Sequence, residues 1–119
     1  MKKAYAKVKI LGAKYSIYKL NKKEDKRLSD KDGYCDFYQK VIVVEKQKDD
    51  PDDINKMQSL KLYENNVLRH EIIHAFLHES GLDICSHNIE TWARDEEMID
   101  WMALQFPKMR KIFKKLNIL

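Results

Sequence analysis

Two histidines four residues apart, with a glutamate directly after the first, are the residues of this chain whose types and spacing can do chemistry: His70-Glu71-Ile72-Ile73-His74. They lie in RHEIIHAFLHESGL, residues 69–82, which carries a third histidine, His78, at the same spacing. On an α-helix, residues four apart share one face about 6 Å apart along the axis. The rings of His70 and His74 can therefore reach one metal ion at ~2.0–2.1 Å. Zinc suits imidazole, and a glutamate one residue after the first ligand falls beside the open coordination position. From there it can take a proton from bound water, which makes Glu71 the candidate general base and zinc the candidate cofactor. His78 lies ~12 Å along a continuous helix from His70 and cannot share that ion. It is expected exposed near the helix end, within reach of the last carbonyls.

This stretch is half a site, and the segment NIETWARDEEMIDWMALQFP, residues 88–107, is the expected source of the rest. Helical periodicity puts Trp92, Glu96, Asp100 and Ala103 or Leu104 on one face. Glu96 is then the candidate third ligand. Asp100 is placed to accept the N–H of a liganding histidine, which fixes its tautomer. Glu97 points about 100° away and takes the ligand position only if the register shifts. His87 remains geometrically possible. Asp100 lies between Ile99 and Trp101 in a run that reads as buried.

These residues need elements to hold them. Residues 60–80 are apolar around most of the helical circumference except for a stripe holding Tyr63, Val67, His70, His74 and His78, so this helix is expected to run through the middle of the fold. KDDPDD, residues 48–53, reads as its start, with Asp50 as cap and Pro51 in the first turn, and Gly81 reads as its stop. Asn88 or Thr91 is the expected cap of the second helix, which should end at Pro107. A last helix over 108–117 carries Met109, Ile112, Phe113 and Leu116 as a docking stripe. Upstream, residues 4–20 read as one or two strands and 21–33 as a loop or short polar helix closing at Gly33. YCDFYQKVIVVEKQ, residues 34–47, reads as a hairpin turning near Asp36 to Lys40, or as one long edge strand. Strands first and helices after predict an α+β domain over residues 1–119, with a small, mostly antiparallel sheet packed against the helices.

Composition narrows the function classes. The 119 residues are 44% hydrophobic and 35% charged with both signs present, as expected of one soluble globular domain. No apolar run is long enough to span a membrane, and lysines interrupt the N-terminal segment where a signal peptide would be apolar, so a cytoplasmic protein is expected. Cys35 and Cys85 form no Cys-x-x-Cys pair and read as reduced thiols. The net charge of +4 owes much to Lys22–Arg27 and to the tail PKMRKIFKKLNIL. Without zinc-finger spacing or a phosphate-binding glycine loop, that tail reads as a docked terminal helix with its lysines in water, and nucleic acid is not an expected partner.

HEIIH followed by a glutamate helix resembles the gluzincin branch of zinc metallopeptidases, whose signature adds a downstream glutamate and an acidic residue four positions further on. The strands before the histidine helix and the run EEMIDWMA resemble the minimal zincins of prophages and mobile elements, of the ImmA/IrrE type and more loosely SprT-like. The similarity covers residues 66–106. It implies zinc on His70, His74 and Glu96, Glu71 as general base and Asp100 behind a histidine. It also implies a protein or peptide substrate, and an edge strand near 39–45 bordering the cleft. The chain shows no counterpart of the histidine or tyrosine that stabilises the oxyanion in larger members, and no second domain to wall the cleft. The implied activity is therefore peptide hydrolysis of narrow specificity. The alternative is a zinc-bound module, weak or inactive in catalysis, that binds a host or phage protein.

Overall fold

The computed structural model describes residues 2–53, 60–85 and 92–119; His87 and the expected caps Asn88 and Thr91 lie outside the described residues. The fold is α+β: one four-stranded mixed sheet and two long helices. β1 (Ala6–Ile10) and β2 (Ala13–Leu20) form an antiparallel hairpin. Its turn residues, Leu11 and Gly12, both have positive φ, 50° and 89°, the twist that a two-residue hairpin loop requires. From β2 the chain passes through a short 3₁₀ turn, Lys26–Leu28, to β3 (Gly33–Asp36) at the far edge, and then returns in β4 (Val41–Glu45). The strand order is β1-β2-β4-β3.

The β3–β4 hairpin expected within 34–47 is present, and the Asp36 carboxylate organises its turn by accepting the N–H groups of Tyr38 and Gln39. The sheet is less antiparallel than expected at its centre, because β4 pairs parallel to β2. The reason is visible in VIVV, which is buried on both faces: Ile42 and Val44 pack with Tyr15 and Ile17 under the helices, while Val43 packs with Leu20 and Leu28 on the other side. Near-continuous apolar strands belong inside sheets. The segment 39–45 is therefore interior, and the edge strand beside the helices is β3.

Helix α1 spans Leu60–Glu79 and lies between the sheet and α2, Glu96–Lys115. Val67, Leu68, Ile72 and Ala75 pack on the sheet, and Ile73 and Leu77 pack against Ala93 and Ile99. Its circumference is not fully covered, since Leu62 and Phe76 are exposed. Residues 51–52 form a turn in which the Asp50 side chain accepts the N–H of Asp52, and Asp49 accepts the N–H of Leu60. Gly81 follows the helix with φ +85°, as a helix stop requires.

Two expectations for the C-terminal region are corrected. Proline does not end the second helix; α2 runs through Pro107 without a break. Pro107 has no N–H to give the carbonyl four residues back. Arg69 of α1 donates its Nε–H to that carbonyl, Ala103 O, at 2.6 Å and fills the gap. Nor does the stripe beyond Pro107 dock, for Ile112, Phe113 and Leu116 are all exposed. Among the described residues no helix is long and apolar enough to cross a membrane.

Candidate metal centre

The site forms where three elements meet: the middle of α1, the first turn of α2 and the edge strand β3. Gly33 lets them close. A Cβ there would stand 2.9 Å from Val67 Cγ1 and 3.4 Å from Glu71 Cγ, so a side chain at this position would push β3 off the helix beside Glu71. Asp95 opens α2 by accepting the N–H groups of Glu97 and Met98, which makes Glu96 the first helical residue. There the Glu96 carboxylate sits at the positive end of the helix dipole.

The four residues expected to converge do so. His70 Nε2 lies 2.9 Å from Glu96 Oε2, His74 Nε2 lies 3.0 Å from Glu96 Oε1, and the two Nε2 atoms are 3.0 Å apart. On the other side of its ring, His70 Nδ1 lies 2.7 Å from Asp100 Oδ1. A carboxylate accepts from Nδ1–H, so Asp100 holds the His70 ring with Nε2 turned toward Glu96 and His74. Burial lowers the pKa of His74, against the pull of Glu96, and favours its neutral ring. Two ring nitrogens and a carboxylate oxygen then point at one place. A cation satisfies all three, and two imidazoles with a carboxylate are a donor set that suits zinc.

Glu71 is 93% buried, being 7% exposed, and among the described residues its carboxyl has no hydrogen bond or ion pair. Its oxygen and the ring nitrogens of His70 and His74 lie within 4.8 Å of one another. Burial, with the charges of Glu96 and Asp100 adding to it, pushes its pKa up to about 7. Glu96 makes the direct contacts to both rings, so it is the better third donor and Glu71 the better proton acceptor. Glu97 is exposed and touches neither histidine among the described residues. Asp100, expected in a buried run, lies on an open face, its side chain 61% exposed and its neighbour Trp101 56% exposed.

His78 is not left in solvent at the helix end. Its ring stacks on Phe37 at 4.2 Å, and Nδ1 lies 3.2 Å from Asp83. Sequence periodicity does not reveal Phe37, Lys31 or Cys35, which line the cavity of about 270 Å³ over His70, Glu71 and His74. Nor does it reveal Asp32, which accepts a hydrogen bond in a neighbouring cavity from Tyr63, a member of the helical stripe. Lys31, Asp32, Cys35 and Phe37 arrive with β3 and the residues beside it. Cys35 and Cys85 are free thiols, and burial, reinforced by Glu71, pushes Cys35 up to about 12. Cys35 is thus a protonated wall of the cavity at neutral pH. The sequence matches no protein-family model, and no curated protein or solved structure is significantly similar to it.

Proposed function

We propose that this chain is a small zincin-type metallopeptidase, zinc-dependent, cytoplasmic, of narrow specificity and of phage or mobile-element origin. The observation that carries the reading is the approach of His70, His74 and Glu96 to within 2.9–3.2 Å of one another, beside a buried Glu71 with no partner among the described residues. His70, His74 and Glu96 would hold the ion, and Asp100 orients His70 for it. Bound there, zinc supplies Lewis acidity toward a carbonyl and an acidified water, of pKa near ~7. Glu71 takes the proton of the attacking water and returns it to the leaving amine. A base with pKa about 7 is matched to that double role near neutrality. The open edge of β3 runs past the cavity, and an extended peptide can add to it by main-chain hydrogen bonds.

The test joins composition and turnover. Elemental analysis is expected to find one zinc per wild-type chain and per Glu97→Ala chain, and much less in Glu96→Ala, His70→Ala and His74→Ala. Glu71→Gln should keep its zinc and lose cleavage of unfolded protein substrates. Equal zinc in Glu96→Ala and wild type would remove Glu96 from the site. A second reading, a zinc-bound interaction module without turnover, is favoured by the openness of the centre, where the Glu96 side chain is 67% exposed. A wild-type protein that binds zinc but cleaves neither a denatured protein nor a repressor substrate would select it.

A further inference from the structure

The second half of α2 presents an apolar face that no described residue covers. Between α1 and α2 lies a groove of about 490 Å³, lined by Ile72, Phe76, Met102, Phe106 and Met109 with Arg69 at its rim. At 100° per residue Met102, Phe106, Met109, Ile112, Phe113 and Leu116 fall in one sector of α2, so the groove and the exposed stripe form one surface. From Met102 to Leu116 it runs about 21 Å at 1.5 Å per residue. Phe106, Ile112, Phe113 and Leu116 are 53%, 56%, 41% and 61% exposed, a row rather than the scattered apolar residues usual on surfaces.

Charge identifies the occupant. After Asp100 the chain has no acidic residue, while Lys108, Arg110, Lys111, Lys114 and Lys115 lie along the same helix. On the wheel Arg110 and Lys114 flank the apolar sector on one side, and Lys108 and Lys115 flank it on the other. Two copies of this face laid together would set lysine and arginine against lysine and arginine. A lipid surface is flat, whereas the upper part of this face is concave and takes a ridge of side chains. We propose that the face docks an amphipathic helix of about four turns from a partner protein, with glutamate or aspartate on both sides of its apolar stripe. This surface is separate from the metal centre and does not depend on the peptidase reading.

The experiment uses the full chain and a synthetic 15-residue helical peptide with leucines at i, i+3, i+4 and i+7 and glutamates on both flanks. A second peptide has lysine in place of each glutamate. Fluorescence anisotropy should show the glutamate peptide binding at least tenfold tighter than the lysine peptide, and more weakly as salt rises. Ile112→Ser with Phe113→Ser should weaken binding at least tenfold. Both positions are exposed, so an unchanged far-UV circular dichroism spectrum is expected for the double variant. Equal binding of the two peptides, or no loss in the double variant, would overturn the proposal. So would sedimentation equilibrium showing a dimer that the double variant dissolves, since a second copy would then own the face. Co-sedimentation with phosphatidylglycerol vesicles that the glutamate peptide cannot compete away would assign the face to membranes instead.

Discussion

Glu64 and Glu71 lie seven residues apart on the same helix and the same face, both turned toward the sheet, and only 4% and 7% exposed. Burial alone raises the pKa of both. Around Glu64 that effect is overcome: the Gln47 N–H at 3.0 Å and the Lys19 and Lys61 ammonium groups at 2.8 Å hold its carboxyl down to about 2. Around Glu71 burial wins, and its carboxyl is pushed up to about 7. One glutamate has its partners and anchors α1 to β2. Among the described residues the other has no hydrogen bond or ion pair, and it faces a cavity. The same residue type, on the same face at the same depth, is held ionised in one place and pushed toward its neutral form in the other, and the difference lies in what the rest of the fold sends to meet it.

The largest expected contrast is in turnover. Glu71→Gln should lower hydrolysis about 10²- to 10⁴-fold, the range for a removed general acid–base group, with zinc content unchanged. Glu64→Gln should leave turnover within a few-fold, measured where both variants are folded. Stability should respond the other way round. Glu64→Ala leaves Lys19, which is 9% exposed, without its counter-charge, and should cost about 2–3 kcal/mol, read as a fall of roughly 10 °C in Tm. A Glu64→Ala protein that melts with wild type would reduce the three contacts to bystanders.

The two pKa shifts have opposite signs, so the metal-free protein should show two opposed pH limbs. The folded pKa of Glu64, about 2, lies below its ordinary 4.5. Its stabilisation is full above about 4.5 and fades as pH falls from there through about 2. The folded pKa of Glu71, about 7, lies above 4.5. The folded chain favours its neutral form, and that contribution fades as pH rises from about 4.5 through about 7. Each limb should amount to about 1–2 kcal/mol once solvent screening is allowed for. Urea midpoints of metal-free protein at pH 3, 5 and 8 would separate them. Glu64→Gln should flatten the acid limb alone, and Glu71→Gln the limb between pH 5 and 8. If Glu71→Gln followed wild type over that upper limb, Glu71 would not be the buried unpaired acid.

What could be read in advance follows the range of the interactions. His70 and His74 share a face because of the helical repeat, and the repeat likewise sets Glu96 beside Asp100, so spacing alone carried these positions. Glu64 does not stand out in the sequence, because although it shares a helical face with Glu71 nothing local distinguishes the carboxyl that will meet two lysines. The interior place of β4, the closure of β3 on Val67 through Gly33, and the stacking of Phe37 on His78 depend on strand order. Strand order is settled by packing among segments far apart in the chain. The exposed stripe from Ile112 to Leu116 failed the expectation for a related reason. An amphipathic pattern says that a face is apolar and leaves open which surface, in this chain or another, will cover it.

Pro107 extends the comparison from carboxylates to the backbone. As a rule of local sequence it ends a helix, yet α2 continues because the Ala103 carbonyl, deprived of its own helical donor, receives Arg69 Nε–H at 2.6 Å. Like Glu64, this carbonyl is satisfied from a distant element. Arg69→Ala should therefore destabilise the chain by about 1–2 kcal/mol, the scale of an orphaned, partly buried acceptor. Pro107→Ala restores the intrahelical N–H, and in that background the same Arg69→Ala change should lose part of its effect, with a coupling of about 1 kcal/mol across the double-mutant cycle. Arg69 also lines the apolar groove, so its aliphatic stem contributes packing that Arg69→Ala removes in both backgrounds, and only the coupling isolates the hydrogen bond. Strict additivity would mean that α2 crosses Pro107 on helix packing alone.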